Sequence, residues 1–180
     1  LFFGLDSVMD ARSRGFTLTE LVLILVIVAI LSVFVASRLT GTFAGTRAYY
    51  DGVTAVVQYG RKAAIAQRRP VFVEVDSAAR RVRLCYAAAS CAGADAVPGP
   101  PTPTATGSGL DVTFTQLPFS VTAASGVSVS AAPISTFQFD ALGRVLTSAG
   151  ADPGSNLTLT VSGEGTHTLT VERETGYVHP

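Results

Sequence analysis

The sequence predicts an α+β fold: a long N-terminal helix, transmembrane in its first half, whose second half packs on an antiparallel β-sheet domain. Three observations lead there. An unbroken apolar run fills Leu21–Ala36, a helical period continues to Gln67, and from Pro70 the apolar period switches to two. With 180 residues, 48% of them hydrophobic, one domain with a sizeable core is the expected count.

The run LVLILVIVAILSVFVA has sixteen positions with Ser32 alone polar, and counted back to Phe16 it reaches twenty-one. At about 1.5 Å per helical residue it spans roughly 30 Å, the thickness of a bilayer's hydrocarbon core. Arg12 and Arg14 precede it. The positive-inside bias therefore keeps residues 1–15 cytoplasmic and sends the chain after Arg38 across the membrane. Met9 is the one methionine and opens the short basic peptide MDARSRG, so translation is expected to start there rather than at Leu1.

Between Thr40 and Thr46, TGTFAGT sets Gly41 and Gly45 among helix formers, each costing roughly 1 kcal/mol against Ala. A soft spot is expected. An amphipathic helix over 46–69 follows, with Tyr49, Val53, Val56, Gly60, Ala63 and Gln67 on one side and Arg47, Asp51, Thr54, Gln58, Arg61, Lys62 and Arg68 on the other, until Pro70 stops it. The two stretches read as one helix of about fifty residues.

In the β domain, 70–180, PVFVEVD and RRVRLCY flank SAAR as a hairpin, and LDVTFTQL, GVSVSA, ISTFQFD, RVLT, NLTLTV and HTLTVE are further strands. The stretch PGPPTPTATGSG, from Pro98 to Gly109, is a surface loop, because its prolines cannot donate to a ladder. Cys85 and Cys91, the only cysteines, fall beyond the membrane, where a disulfide is the natural product. A metal site and a catalytic dithiol are the competing readings; the first lacks a nearby His and the second normally uses Cys-x-x-Cys.

Charge excludes a uniformly basic or acidic protein, since 13 Lys+Arg balance 13 Asp+Glu. It is unevenly placed: residues 1–46 carry three bases and three acids, 47–83 eight and three, and 84–180 two and seven. A basic helix paired with an acidic sheet explains this as well as a face for a nucleic acid does. No Gly-x-Ser-x-Gly elbow, His-Glu-x-x-His helix or phosphate loop occurs, so no enzyme, catalytic residue, metal or cofactor is expected. His167 is expected on the polar face of its strand, and His179 lies next to the last residue.

The segment RGFTLTELVLILVIVAIL, Arg14–Leu31, places a Gly-Phe bond before the apolar run and a lone carboxylate, Glu20, near its start, where lipid makes a charge costly. It resembles the processing site of type IV prepilins and type II secretion pseudopilins. The resemblance implies a leader, 1–15, removed by a membrane prepilin peptidase after Gly15, N-methylation of Phe16, and an assembly role for Glu20 beside the Phe16 amine of a neighbouring subunit. The transmembrane and assembly helix is then 16–38 and the periplasmic domain 39–180.

Beyond the helix, YDGVTAVVQYGRKAAIAQRRPVFVEV, the cysteine pair, TFQFDALGRV and TGYV look like the GspH/FimT group of minor pilins and pseudopilins, those of the mannose-sensitive haemagglutinin pilus in particular. Ser37 stands where many pilins carry a helix-unwinding Pro. The implied function is a minor subunit that initiates or caps a type IV pilus or pseudopilus. Its implied partners are the peptidase, other pilins and inner-membrane lipid, and its place is the bacterial inner membrane, single-pass, with the domain in the periplasm. The alternative is DNA binding during uptake, as in some FimT-like proteins, through Arg61, Lys62, Arg68, Arg69 and Arg144; the C-terminal TGYVHP lacks that group's Gly-Arg-x-Arg element.

Overall fold

The computed structural model describes residues 17–39, 42–88, 90–100, 112–123 and 125–180, with side chains over 17–32 and from 45 onward. Gly15, Phe16, the Thr40–Gly41 pair and most of the Pro-rich run lie outside them. The chain divides into two compact units, Leu1–Thr40 and Gly41–Pro180.

Within the first unit, α1 covers Leu18–Leu39, 22 residues, and runs unbroken through Ser37. At about 1.5 Å per residue it is roughly 33 Å long. Its start is fixed by Thr17, whose hydroxyl accepts the Glu20 N–H at 3.2 Å while its carbonyl accepts the Leu21 N–H at 3.1 Å. Threonine followed three residues later by glutamate is a helix-opening pattern, and Glu20 in the first turn faces the positive end of the helix dipole. Among the described residues no helix is long and apolar enough to cross a membrane. The side chains described in α1 end at Ser32, so the latter part of the apolar run falls outside that statement.

The second unit opens with α2, Thr42–Gln67. The helix pattern is thus present on both sides of Thr40–Gly41, and whether it is continuous between them lies outside the described residues. Ten strands follow among the described residues: β1 Val71–Asp76, β2 Arg81–Cys85, β3 Val112–Gln116, β4 Phe119–Ala123, β5 Ser128–Ala132, β6 Thr136–Phe139, β7 Val145–Thr147, β8 Leu157–Ser162, β9 Thr166–Val171 and β10 Val178–His179. They form two antiparallel sheets, ordered β3-β4-β2-β1-β6-β7 and β10-β9-β8-β5.

Helix α2 packs against strands of both sheets. Tyr49, Val53, Val56, Val57 and Ala64 meet a core built from alternate residues: Val71, Val73, Val82, Leu84, Val121, Phe137 and Phe139 in the larger sheet, Leu157, Leu159, Val161, Leu169 and Val171 in the smaller. Gly60 allows close approach, since a Cβ there would lie 2.9 Å from Leu84 Cδ2. The expected apolar side of the helix holds except at its end, where Gln67 is exposed and its amide oxygen accepts the Tyr86 hydroxyl at 2.6 Å.

All eight expected strands are present among the described residues, and two more, β4 and the two-residue β10, are added. Pro118 reads as a strand stop in the sequence, but it occupies the turn between β3 and β4, where no ladder donor is needed. Strand β10 is too short to show a period, having two residues paired with β9. His167 departs from expectation: it shares a face with Leu169 and Val171, because residues two apart in a strand point the same way, and it is half-buried against Tyr50 with ring centroids 5.3 Å apart.

Candidate functional site

Over Leu21–Leu31 the N-terminal helix presents apolar side chains around its whole circumference. From Leu21 to Leu31 its large apolar residues are between 46% and 60% exposed. Glu20 is exposed in the first turn. Such a surface is not that of a self-contained soluble helix, which keeps one polar face. Its chemistry is that of a rod made to be covered, with one carboxylate at its entry.

In the domain, Cys85 and Cys91 are joined by a disulfide, with Cα atoms 5.0 Å apart. The bridge sits at the end of β2, where Tyr86 N–H donates to Asp95 O at 2.7 Å and Cys85 pairs with Ala96. It therefore ties the strand end to the segment leading into the Pro-rich run. Arg69 stacks its guanidinium 3.6 Å above the Tyr86 ring, so the end of α2 is fastened to the same place.

The basic residues do not gather on one face. Arg61 and Lys62 lie in the last turns of α2, and Arg68 and Arg69 lie just past its end at Gln67. Arg81 and Arg83 alternate with buried Val82 and Leu84 and so point away from α2, where Arg83 makes a two-pronged bond to Glu74 at 2.7 and 2.9 Å and Arg81 approaches Asp76 at 3.7 Å. Arg144 is also engaged. Its guanidinium donates to Asp140 Oδ2 at 2.9 Å, while Asp140 Oδ1 accepts the backbone N–H groups of Leu142 and Arg144 at 2.9 and 2.8 Å.

That carboxylate organises the β6–β7 turn, DALGR, in which Gly143 adopts φ 84°, a left-handed value that other residues resist. Burial pushes the Asp140 carboxyl up, but the Arg144 and Leu142 N–H groups and the Arg144 charge outweigh it and hold the group below the usual carboxylate range. Arg144 is in this sense a turn residue. In the core, burial pushes the Tyr49 phenol up, and its hydroxyl donates to Arg80 O at 3.0 Å.

Near the end of the chain, His179 Nε2 stands 3.4 Å from Glu172 and its ring stacks on Tyr177 at 5.6 Å. Among the described residues no group of three His, Cys, Asp or Glu could hold a metal ion. A shallow cleft of about 120 Å³ lies between α2 and the C-terminal segment, lined by Gln58, Arg61, Lys62, Gly176, Tyr177 and Val178. Two roles went unread in the sequence, those of Thr17 and Asp140. The first had a signal in T-x-x-E, and the second only acquires meaning once its turn is formed.

Residues 10–36 match the prokaryotic N-terminal methylation motif. Among solved structures, the minor pseudopilin EpsH from the type 2 secretion system of Vibrio cholerae is similar at 13% identity, with a TM-score of 0.50 over 75% of this chain and 94% of that one. The chain has a pilin-like fold behind a prepilin methylation motif. The type IV minor pilin FimU of Pseudomonas aeruginosa also matches, at 12% identity and a TM-score of 0.46 over 74% of this chain and 90% of that one. No curated protein matches the sequence significantly. The pilin-like arrangement accounts for the order of parts: a methylation motif, an apolar helix, then α2 laid on antiparallel sheets.

Proposed function

We propose that this chain is a minor pilin or pseudopilin, a structural subunit that enters a type IV pilus or a type II secretion pseudopilus and helps initiate or cap it. The observation that carries the reading is the methylation motif over 10–36 running into a helix whose apolar side chains are exposed on every side. In this reading prepilin peptidase cuts after Gly15, Phe16 is methylated, and α1 rests in the inner membrane until extraction into the filament. The apolar surface is covered first by lipid and then by neighbouring helices, so burial drives both anchoring and assembly.

Glu20 then serves as a register device, its carboxylate satisfied by the Phe16 amine of an adjacent subunit. The domain faces the periplasm, where a Cys85–Cys91 disulfide is stable. The role is architectural rather than catalytic. DNA capture is less well supported, because Arg144 is closed by Asp140 and the arginines of β2 point away from those of α2.

Replacing Glu20 by Ala tests the assembly role. The full chain, expressed with its peptidase and companion pilins, is expected to be processed and folded yet reduced at least several-fold in the sheared filament fraction. Wild-type incorporation of Glu20→Ala would contradict the role assigned to that carboxylate.

A further inference from the structure

We propose that the cleft between α2 and the C-terminal segment is a docking site for a carboxylate, and that its occupant is Glu164 of a second copy of this chain. The cleft is built around Arg61. Its Nε donates to Thr175 O at 3.0 Å, and Gly143 and Gly176 lie so close beneath that a Cβ on either would approach the arginine within 3.2 Å. One edge of the guanidinium is thereby fixed and its terminal nitrogens are left for a ligand, an arrangement suited to a planar carboxylate. Lys62, Gln58 and the 60% exposed Tyr177 supply the remaining donors. Neither Arg61 nor Lys62 has a carboxylate partner among the described residues, although five other arginines of the domain do.

The matching anion sits at the other end of the same domain. Glu164 is exposed at the tip of the β8–β9 turn and has no ion-pair partner among the described residues. Neighbouring Gly163 abuts Thr46 near the start of α2. From Thr46 to Arg61 is roughly 22 Å along the helix at about 1.5 Å per residue, so the two ends cannot meet within one chain. A contact between them is head-to-tail, and such a contact propagates unless its rotation closes a ring. A single side-chain carboxylate suits this small cleft, whose lining carries only two cations, better than the repeated phosphates of a nucleic-acid backbone.

Lys62 is the only lysine in the sequence, which makes the test selective. Equal amounts of nitrogen-15-labelled and unlabelled full-length chain, in detergent at low salt, are treated with a zero-length carbodiimide and mapped by mass spectrometry. The expected product is an interchain amide between Lys62 and Glu164, weakened roughly fivefold by high salt and absent in Glu164→Lys, where two amines face each other and no carboxyl is left to activate. Mixing Glu164→Lys with the double variant Arg61→Glu/Lys62→Glu should restore a link between positions 62 and 164. No interchain link to Glu164, or no recovery in the mixed variants, overturns the proposal, as does tight duplex-DNA binding at the cleft that Glu164→Lys leaves unchanged. The inference goes beyond the filament role and fails separately from it: correct processing at Phe16 without this link removes the contact and leaves the role standing.

Discussion

In α1 the large apolar side chains from Leu21 to Leu31 are about half exposed, whereas in the domain Phe137, Phe139, Leu84 and Leu157 are completely shielded from solvent. Both regions draw their apolar surface largely from Leu and Val. They differ in how much covering the chain itself supplies: in the domain α2 packs against both sheets, whereas Leu21–Leu31 of α1 stay about half exposed. Apolar content alone therefore does not tell a core from an assembly surface. The pattern does, since the domain alternates buried and half-exposed residues along β1 and β8 while α1 carries only apolar side chains from Leu21 to Leu31.

The comparison breaks most readily at the largest side chains. Phe137→Ala should lower the stability of the domain by about 3–5 kcal/mol, because it removes a fully buried ring that meets Phe139 edge-on. Leu25→Ala in α1 should leave the domain's denaturant midpoint unchanged, since Leu25 is 60% exposed. Equal losses for the two would mean that α1 belongs to the domain's folding unit.

A smaller effect is expected at the disulfide. Cys91→Ser should destabilise the domain by roughly 2 kcal/mol, the loop-entropy value for so short a ring. Differential scanning calorimetry of the oxidised wild type and the variant measures it, and equal melting temperatures would show that the bridge does not constrain the unfolded chain. Smaller still is the β6–β7 turn, where Asp140→Asn should cost on the order of 1 kcal/mol through weakened hydrogen bonds to Leu142 and Arg144. Its pH dependence has a definite sign. The folded-state pKa of Asp140 is depressed, so its contribution is present above the unfolded value of about 3.9 and is lost as pH falls through the lower folded value. Wild type and Asp140→Asn should thus differ near neutrality and converge in acid.

Much of this was legible in the sequence because period and punctuation agree. The eight strands from PVFVEVD to HTLTVE carry alternating apolar residues between turn formers, and Cys85 and Cys91 are the only pair available. Strand β4 was hidden by Pro118, which reads as a stop in sequence and acts as a turn in space. The roles of Arg81, Arg83 and Arg144 were not legible, because a count of bases does not reveal which side of a sheet each occupies or which carboxylate faces it. Only when Glu74, Asp76 and Asp140 are placed opposite them does an apparent basic cluster become a set of ion pairs.

The central claim is that the exposed rod is the mature N-terminus of a processed filament subunit. Mass spectrometry of the chain isolated from cells with active prepilin peptidase tests it most directly. The expected N-terminal peptide begins at Phe16, carries one methyl group on its amine and includes Thr17 and Glu20, and Gly15→Ala should diminish it. A chain that retains residue 15, or one cut after the apolar run, would contradict the account.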